Sequence, residues 1–332
     1  MTQPDFIIMD LEKPSTLPPP IPLYAIIKSP IFHEPGGVRG GFEKMSDENE
    51  VISLPYRTED GNKGTFGTVT IVGGCENYLG APMLSGKAAY RTGCGLVEMI
   101  VPEVVRNSGA GFLPEAIWNC AAYEEGYIPA HKQQMAAVIG PGLGKDPETA
   151  EHLAGFIQSA SENHAMTLID ADALNILSAE PKWYKSIPDD CVLTPHPGEM
   201  SRLCGTSIPA IQYDRRDTAL YCAKRWHQVV LLKGAFTVIA APDGRIRILT
   251  YCTSALATAG SGDVLSGVIA GLGAQGMKPY EAACLGADLH ARAGLLAAEH
   301  FGNKYSVMAS DIINFLPAAI NEVARNQGPE NR

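Results

Sequence analysis

The run Ala259-Gly260-Ser261-Gly262-Asp263 stands at the head of the apolar stretch DVLSGVIAGLG. Glycines let successive backbone N–H groups turn toward one point. If Asp263 falls in the first turn of a helix, those N–H groups and the helix dipole draw an anion to that turn. A phosphoryl group in transfer is a natural guest. Asp263 beside it is suited to take the proton of an attacking hydroxyl. The same five residues also read as a tight turn and a helix cap, and for an isolated motif the cap is the commoner outcome.

Other fragments carry weaker signals. In Lys233-Gly234-Ala235-Phe236-Thr237, Lys233 can meet a phosphate as a point charge, and Thr237 can hydrogen-bond a ribose or a phosphate. An exposed lysine at a turn explains the same residues. In TPHPGEM, residues 194–200, two prolines stiffen the backbone on either side of His196. That presents His196 and Glu199 rigidly at a strand end, or else starts a helix with proline in its first turn. In IDADALN, one of Asp170 and Asp172 can orient a loop while the other reaches a metal or the glycine-rich loop; turn capping is the plain alternative. GPGLGK, residues 140–145, lacks the last glycine of a dinucleotide fingerprint. GAPMLSGKA is one residue too long for a P-loop, and no Ser or Thr follows Lys87.

These fragments need elements to hold them. Short β-branched runs alternate with helical stretches from about residue 64 onward: TVTIVGG, GLVEMIV, AAVIG, TLID, CVLT and QVVLLKG read as strands. APMLSGKAAYRTG, PETAEHLAGFIQSA, GDVLSGVIAGLGAQG, PYEAACLGADLHARAGLLAAEHF and SDIINFLPAAINEV read as helices, the last capped by Ser310 or Asp311. FTVIAAPDGRIRIL reads as a hairpin about Asp243-Gly244. The alternation predicts an α/β fold with a mostly parallel sheet covered on both faces. In such sheets ligands sit beyond the carboxyl ends of the strands. GPGLG, DADALN, TPHPGE, KGAFT and AGSGD all fall at such ends, and together they make a site where each alone is weak.

Composition sets the frame. The chain has 332 residues, 45% hydrophobic and 19% charged, with a formal net charge of −10. The acidic balance argues against nucleic acid or an anionic membrane as partner, but not against an anionic small molecule in a local positive pocket. Eight cysteines without a CxxC pair suggest free thiols in a reducing compartment. No apolar run is long enough for a membrane span and no signal peptide is evident, so a cytoplasmic protein is expected. Residues 1–50 are rich in proline and end in SDENE. They read either as a flexible tail or as an arm that docks through Leu23, Tyr24, Ile26 and Ile27. One domain over 51–325 and a short tail over 326–332 complete the expected layout.

Taken in order, KGTFGTVTIVGG, YLGAPMLSGKAAYRTGCGLV, GPGLG, DADALN, TPHPGEM, LLKGAFTVI and ATAGSGDVLSGVIAGLGAQG resemble the ADP/ATP-dependent NAD(P)H-hydrate dehydratase family. The resemblance covers roughly residues 50–325 and implies a ribokinase-like three-layer α/β/α fold. It also implies the reaction: phosphorylation of the ring hydroxyl of hydrated NADH or NADPH, then loss of phosphate to restore the cofactor. By the same resemblance Asp263 is the general base, and Gly260, Ser261 and Gly262 form the anion hole. Lys233, Gly234, Ala235, Phe236 and Thr237, with Gly262, bind the nucleotide. Ala81, Gly142, Gly144, His196 and Glu199, with Asp263, match positions facing the hydrated dinucleotide.

Magnesium is implied with the phosphates, although no motif names its ligands. ADP is the expected donor, with ATP as the alternative. A homo-oligomer, with a tetramer favoured, and a separate epimerase chain in the same pathway are expected. Two positions depart from the family pattern: Ser261, where members often carry Thr, Gly or Met, and Thr253, where many carry Asn. Two other readings stay open at this point. One is a vitamin-precursor kinase of the same fold acting on a hydroxymethylpyrimidine or thiazole alcohol; the other is a silent nucleotide-binding protein.

Overall fold

The computed structural model describes residues 51–132, 135–163, 165–189 and 191–327. The expected arm, including Leu23, Tyr24, Ile26 and Ile27, and residues 328–332 of the expected tail lie outside the described residues. Nine strands form one sheet in the order β3-β2-β1-β4-β5-β6-β7-β8-β9. They are β1 (Thr68–Val72), β2 (Leu96–Ile100), β3 (Ile117–Trp118), β4 (Met135–Ile139), β5 (Met166–Ile169), β6 (Val192–Leu193), β7 (Val229–Leu232), β8 (Val238–Ala240) and β9 (Ile246–Ile248). The first seven run parallel. The hairpin expected about Asp243-Gly244 adds β8 and β9 antiparallel at one edge.

The central strands are apolar on both sides, as a sheet covered on both faces requires. Side chains alternate between two cores. Val69, Ile71, Val97, Met99, Ala136 and Val138 belong to one. Val72, Ile100, Ala137 and Ile139 belong to the other. The first face is covered by α1 (Gly80–Thr92), α2 (Glu103–Gly109), α9 (Ser261–Ala274), α10 (Pro279–Phe301) and α11 (Ala309–Asn326). The second carries α3 (Cys120–Glu124), α4 (Pro147–Glu162), α5 (Ala171–Leu177), α6 (Pro197–Cys204), α7 (Ile208–Tyr213) and α8 (Arg215–Trp226).

Small residues decide how closely α9 can lie on α1. A Cβ on Gly267 would fall 2.0 Å from the backbone oxygen of Ser85, so only glycine allows this crossing. The Ser85 hydroxyl then donates to the carbonyl of Asp263 at 2.8 Å. The packing of two helices thereby fixes where the first turn of α9 begins.

The last helix starts earlier than expected. Its N-cap is Met308, not Ser310 or Asp311, and the carboxylate of Asp311 accepts from the Met308 N–H at 2.9 Å. Asp311 therefore serves the helix from its third position, where a carboxylate reaches back to the cap. The helix also runs to Asn326, and Gln327 ties it to the entering chain through bonds with Leu54 N–H and Ile52 C=O. The eight cysteines form no disulfide among the described residues, in line with the expected thiols. Among the described residues no helix is long and apolar enough to cross a membrane.

One buried carboxylate lies away from the strand ends. Glu98 on β2 accepts from Asn119 at 2.9 Å and faces His131 Nε2 at 2.8 Å. The hydrogen bond to Glu98 raises the pKa of His131 above 6.5. The protonated imidazole therefore stabilises the fold fully below pH 6.5, and that contribution fades as pH rises through the raised value. Glu98→Gln is expected to cost about 1–3 kcal/mol at pH 6 and to flatten stability between pH 6 and 8. Urea unfolding across that range checks both.

Candidate active site

The parallel strands deliver their carboxyl ends to one side, and the chemical fragments meet there. Gly260 takes the left-handed conformation, with φ 83°, and turns the chain directly into Ser261 at the start of α9. Asp263 lies in that first turn, as expected. The plain cap reading fails here: the N-cap is Gly260, which makes no side-chain cap bond. Among the described residues no side chain hydrogen-bonds the carboxylate of Asp263. Burial, reinforced by repulsion from Asp170, lifts its pKa from 3.8 to about 7, while Lys233 acts in the opposite sense. A buried carboxyl raised to about 7 at a helix N-terminus is chemically able to take up a proton near neutral pH.

Lys233 comes from the end of β7 and points inward. Its Nζ is 2.7 Å from Asp170 Oδ1 and 3.8 Å from Glu199 Oε2. A Cβ on Gly262 would lie 3.4 Å from that Nζ, so the ammonium sits against the first turn of α9. Burial opposes its charge, but the combined pull of Asp170, Glu199 and Asp263 outweighs burial and raises its pKa. The alternative of an exposed lysine at a turn is thereby corrected: Asp170 holds the charge under the glycine turn, where Lys233 lines the cavity.

Asp170 and Asp172 take different partners, and the expected loop-orienting role falls to Asp172. Asp170 is 1% exposed and makes no cap bond to α5. It accepts from Lys233 on one oxygen and from the Ser266 hydroxyl, at 2.7 Å, on the other. Asp172 accepts from the Gly144 N–H at 3.0 Å and so orients the loop after β4.

TPHPGEM forms the end of β6 and the start of α6, and both halves of its reading hold in part. His196 is the N-cap, and its Nδ1 accepts from the N–H groups of Gly198 and Glu199. Burial, then Lys233 and Arg202, lowers its pKa, so the ring is neutral. With Nδ1 accepting, the proton of the neutral ring sits on Nε2. His196 still lines the cavity. Glu199 does not. It is 4% exposed, accepts from His196 N–H at 2.8 Å, and helps hold Lys233. Its carboxyl is raised by burial and by Asp170, against the pull of Lys233.

The cavity at this point has a volume of about 540 Å³. It is lined by Gly260, Ser261, Gly262 and Asp263, by Lys233, Gly234, Ala235 and Thr237, and by Asp170 and His196. Leu249, Leu256, Ala287 and Ala291 supply an apolar wall. Thr253 lines the same wall. Phe236 does not share this cavity. Its φ is 54°, and its half-exposed ring turns to a neighbouring cleft of about 720 Å³ with Val51, Ile52 and Arg247. The Thr237 hydroxyl donates to Gly234 C=O at 2.9 Å, which closes the turn.

Ala81, Gly142 and Gly144 form a second group at the ends of β1 and β4. A Cβ on Gly142 would fall 3.0 Å from that of Ala81 and 2.7 Å from that of Tyr78, so only glycine fits this close contact. Ala81 lies one turn before Ser85, which holds the carbonyl of Asp263.

Two residues at the site gave no sequence signal. Arg215 on α8 donates to the carbonyls of Leu232 and Lys233 and anchors the end of β7. His290 on α10 places Nε2 3.1 Å from the Ser261 hydroxyl.

Comparison with known proteins then fixes the lineage. The NAD(P)H-hydrate dehydratase family model matches residues 69–318. The chain belongs to that family. It is similar to the ADP-dependent (S)-NAD(P)H-hydrate dehydratase of Neisseria meningitidis, 38% identical over 296 residues, which cover 85% of this chain and 94% of that one. It is also 42% identical over 276 residues to a bifunctional NAD(P)H-hydrate repair enzyme of Moorella thermoacetica, covering 80% of this chain and 51% of that one. The chain spans about half the length of several other curated relatives it matches, which are bifunctional NAD(P)H-hydrate repair enzymes.

Among solved structures it resembles the ADP/ATP-dependent NAD(P)H-hydrate dehydratase of Bacillus subtilis, co-crystallised with ATP and Mg2+, at TM-score 0.71 and 28% identity, covering 82% of this chain and 95% of that one. A hydroxyethylthiazole kinase from Pyrococcus horikoshii, at 18% identity and TM-score 0.53, shares the fold alone. The ribokinase-like architecture expected from the motifs is the one found.

Proposed function

We propose that the chain is an ADP-dependent (S)-NAD(P)H-hydrate dehydratase. The observation that carries this reading is Asp263: a buried carboxyl lifted to about 7, with no hydrogen-bonding side-chain partner, beside a glycine turn at a helix N-terminus. Asp263 takes the proton of the ring hydroxyl as the hydroxyl oxygen attacks the terminal phosphorus of the donor. The N–H groups at Gly260 to Asp263 hold the charge that builds on the phosphoryl oxygens. Lys233 adds positive charge from beneath. Hydroxide leaves carbon poorly near neutral pH, whereas phosphate leaves readily. Phosphate then departs from the ring and a ring proton is lost from the adjacent carbon. The balance is hydrate plus ADP giving NAD(P)H, AMP, phosphate and a proton.

The donor set suits a magnesium ion that arrives on the nucleotide. Among the described residues no group of three or more His, Cys, Asp or Glu is arranged to hold a metal. Magnesium keeps several waters and binds mainly through substrate phosphates with one or two carboxylates. The free carboxylate of Asp263 is the protein group placed to face such an ion. When bound, the ion neutralises charge on the phosphates.

The test is recovery of dihydronicotinamide absorbance from NADH-hydrate with magnesium, with ADP and ATP in separate cells. Recovery with ADP supports the proposal; recovery with ATP alone reassigns the donor. A stable phosphorylated alcohol in place of NADH would return the site to the vitamin-kinase reading. With ADP, kcat/KM is expected to rise with pH through about 7, because only the ionised Asp263 acts as base. Two pH units below that point it should lie about a hundredfold under its plateau. A flat profile from pH 5 to 8 would remove Asp263 as the base. The expected homo-oligomer is tested by light scattering on the whole chain.

A further inference from the structure

Ser261 and His290 form a pair that the proposed reaction has not yet used. Ser261 is the first residue of α9, and His290 lies 29 positions later on α10. They are 5% and 6% exposed, and both line the cavity beside Gly260 and Gly262. Oγ and Nε2 are 3.1 Å apart. Burial pushes the imidazole down to about 4, so it is neutral throughout the working range.

A neutral imidazole offers one N–H and one lone pair, and the bond to Ser261 can be made in two ways. If Ser261 donates to Nε2, its oxygen presents only lone pairs to the cavity, which repel a phosphate. If Nε2–H donates to Oγ, the hydroxyl proton is free to point into the cavity. An anion at the first turn of α9 selects the second arrangement.

We propose that His290 is a positioning residue that turns the Ser261 hydroxyl into a hydrogen-bond donor to the terminal phosphoryl group of the nucleotide. The inference rests on the proposed phosphoryl transfer for its catalytic effect, but its effect on binding stands apart. The imidazole holds the serine oxygen from behind and gives it a proton bond. The serine then adds a side-chain donor to the backbone donors of the turn. No proton leaves His290.

The test compares Ser261→Ala, His290→Phe, His290→Gln and the Ser261→Ala/His290→Phe double variant. The first readout is the ratio of AMP to ADP dissociation constants by calorimetry, which requires no hydrate turnover. Ser261→Ala and His290→Phe should each lower that ratio by about ten- to a hundredfold, the range of one hydrogen bond to a charged group. The double variant should be no worse than Ser261→Ala alone, because the histidine acts only through the serine. His290→Gln, whose amide N–H can replace Nε2–H, should retain most of the wild-type ratio.

The second readout is kcat for NADH-hydrate, which should fall about tenfold or more in the two single variants with little change in the KM for hydrate. Unfolding midpoints identify any variant that is merely destabilised, and His290→Gln and Ser261→Ala then carry the comparison. The proposal is overturned if the losses multiply in the double variant, or if Gln and Phe at 290 behave alike. If the wild-type protein shows no hydrate turnover but the binding ratios follow this pattern, the pairing stands and the dehydratase reading falls.

Discussion

Asp263→Asn is expected to lower hydrate turnover by about 10²–10⁴-fold, the range of a general base, while raising the stability of the protein at pH 8. The two effects share one cause. The carboxyl is held at about 7 in the folded chain against 3.8 as its ordinary value. Between those values the folded state binds a proton that the unfolded state has lost. Stability therefore falls as pH rises from 4 to 7, and above 7 the whole penalty of a buried charge is present. Asparagine has nearly the same shape and no charge, so the penalty disappears. The gain is about 2–4 kcal/mol at one pK unit per 1.4 kcal/mol. It should open between pH 4 and 7 and stay constant above. Urea unfolding of both proteins from pH 4 to 8 measures it. ADP affinity measured without magnesium should be unchanged or tighter, because one negative charge facing the phosphates is gone. A variant that keeps full turnover would show that Asp263 is not the base. One that loses turnover without gaining stability at pH 8 would show that the raised pKa is not a property of the fold.

The sheet was legible because its strands are buried on both faces and read as short apolar runs ended by glycine or acid, as in TVTIVGG and TLID. The helices built from small residues were legible for a related reason: Gly267 and its neighbours make sense only where two helices touch. The two-residue strand β3 and the short helices α2, α3 and α7 were not, since elements of that length carry no periodicity to read. Helix α8 was missed because its buried face, Ala219, Leu220, Cys222, Ala223 and Trp226, is interleaved with charged residues. Within the site, the fragments at the strand ends were each visible, and their order gave the family. The links between them were not. Ser266 meets Asp170 across 96 positions, and Lys233 meets Asp170 across 63. Such contacts are made by the stacking of strands and helices, so Lys233 reads as an outward charge and Glu199 as a ligand contact until the fold turns both inward.

Lys233→Met should therefore damage the protein twice. It removes the cation from Asp170, whose side chain is 1% exposed and, among the described residues, keeps only the Ser266 hydroxyl as partner. Breaking a buried pair from one side costs about 3–5 kcal/mol, because the remaining charge stays buried and uncompensated. The same loss acts on the proposed base. Lys233 pulls the Asp263 pKa down and Asp170 pushes it up. Without the lysine, the acid limb of the pH–rate profile should move to higher pH, and kcat/KM at pH 7 should fall by about a hundredfold or more as the charge under the phosphoryl group is lost as well. Adding Asp170→Asn separates the two effects. The second substitution removes the stranded carboxylate, so much of the stability returns and the double variant is more stable than Lys233→Met alone. It also removes the repulsion on Asp263, so the acid limb moves back toward the wild-type position. Turnover stays low, because no positive charge has been restored. If Asp170→Asn deepens the instability instead, the buried pair is not what Lys233 supplies to the fold. If the acid limb moves in neither variant, the field of the Lys233–Asp170 pair does not reach the base.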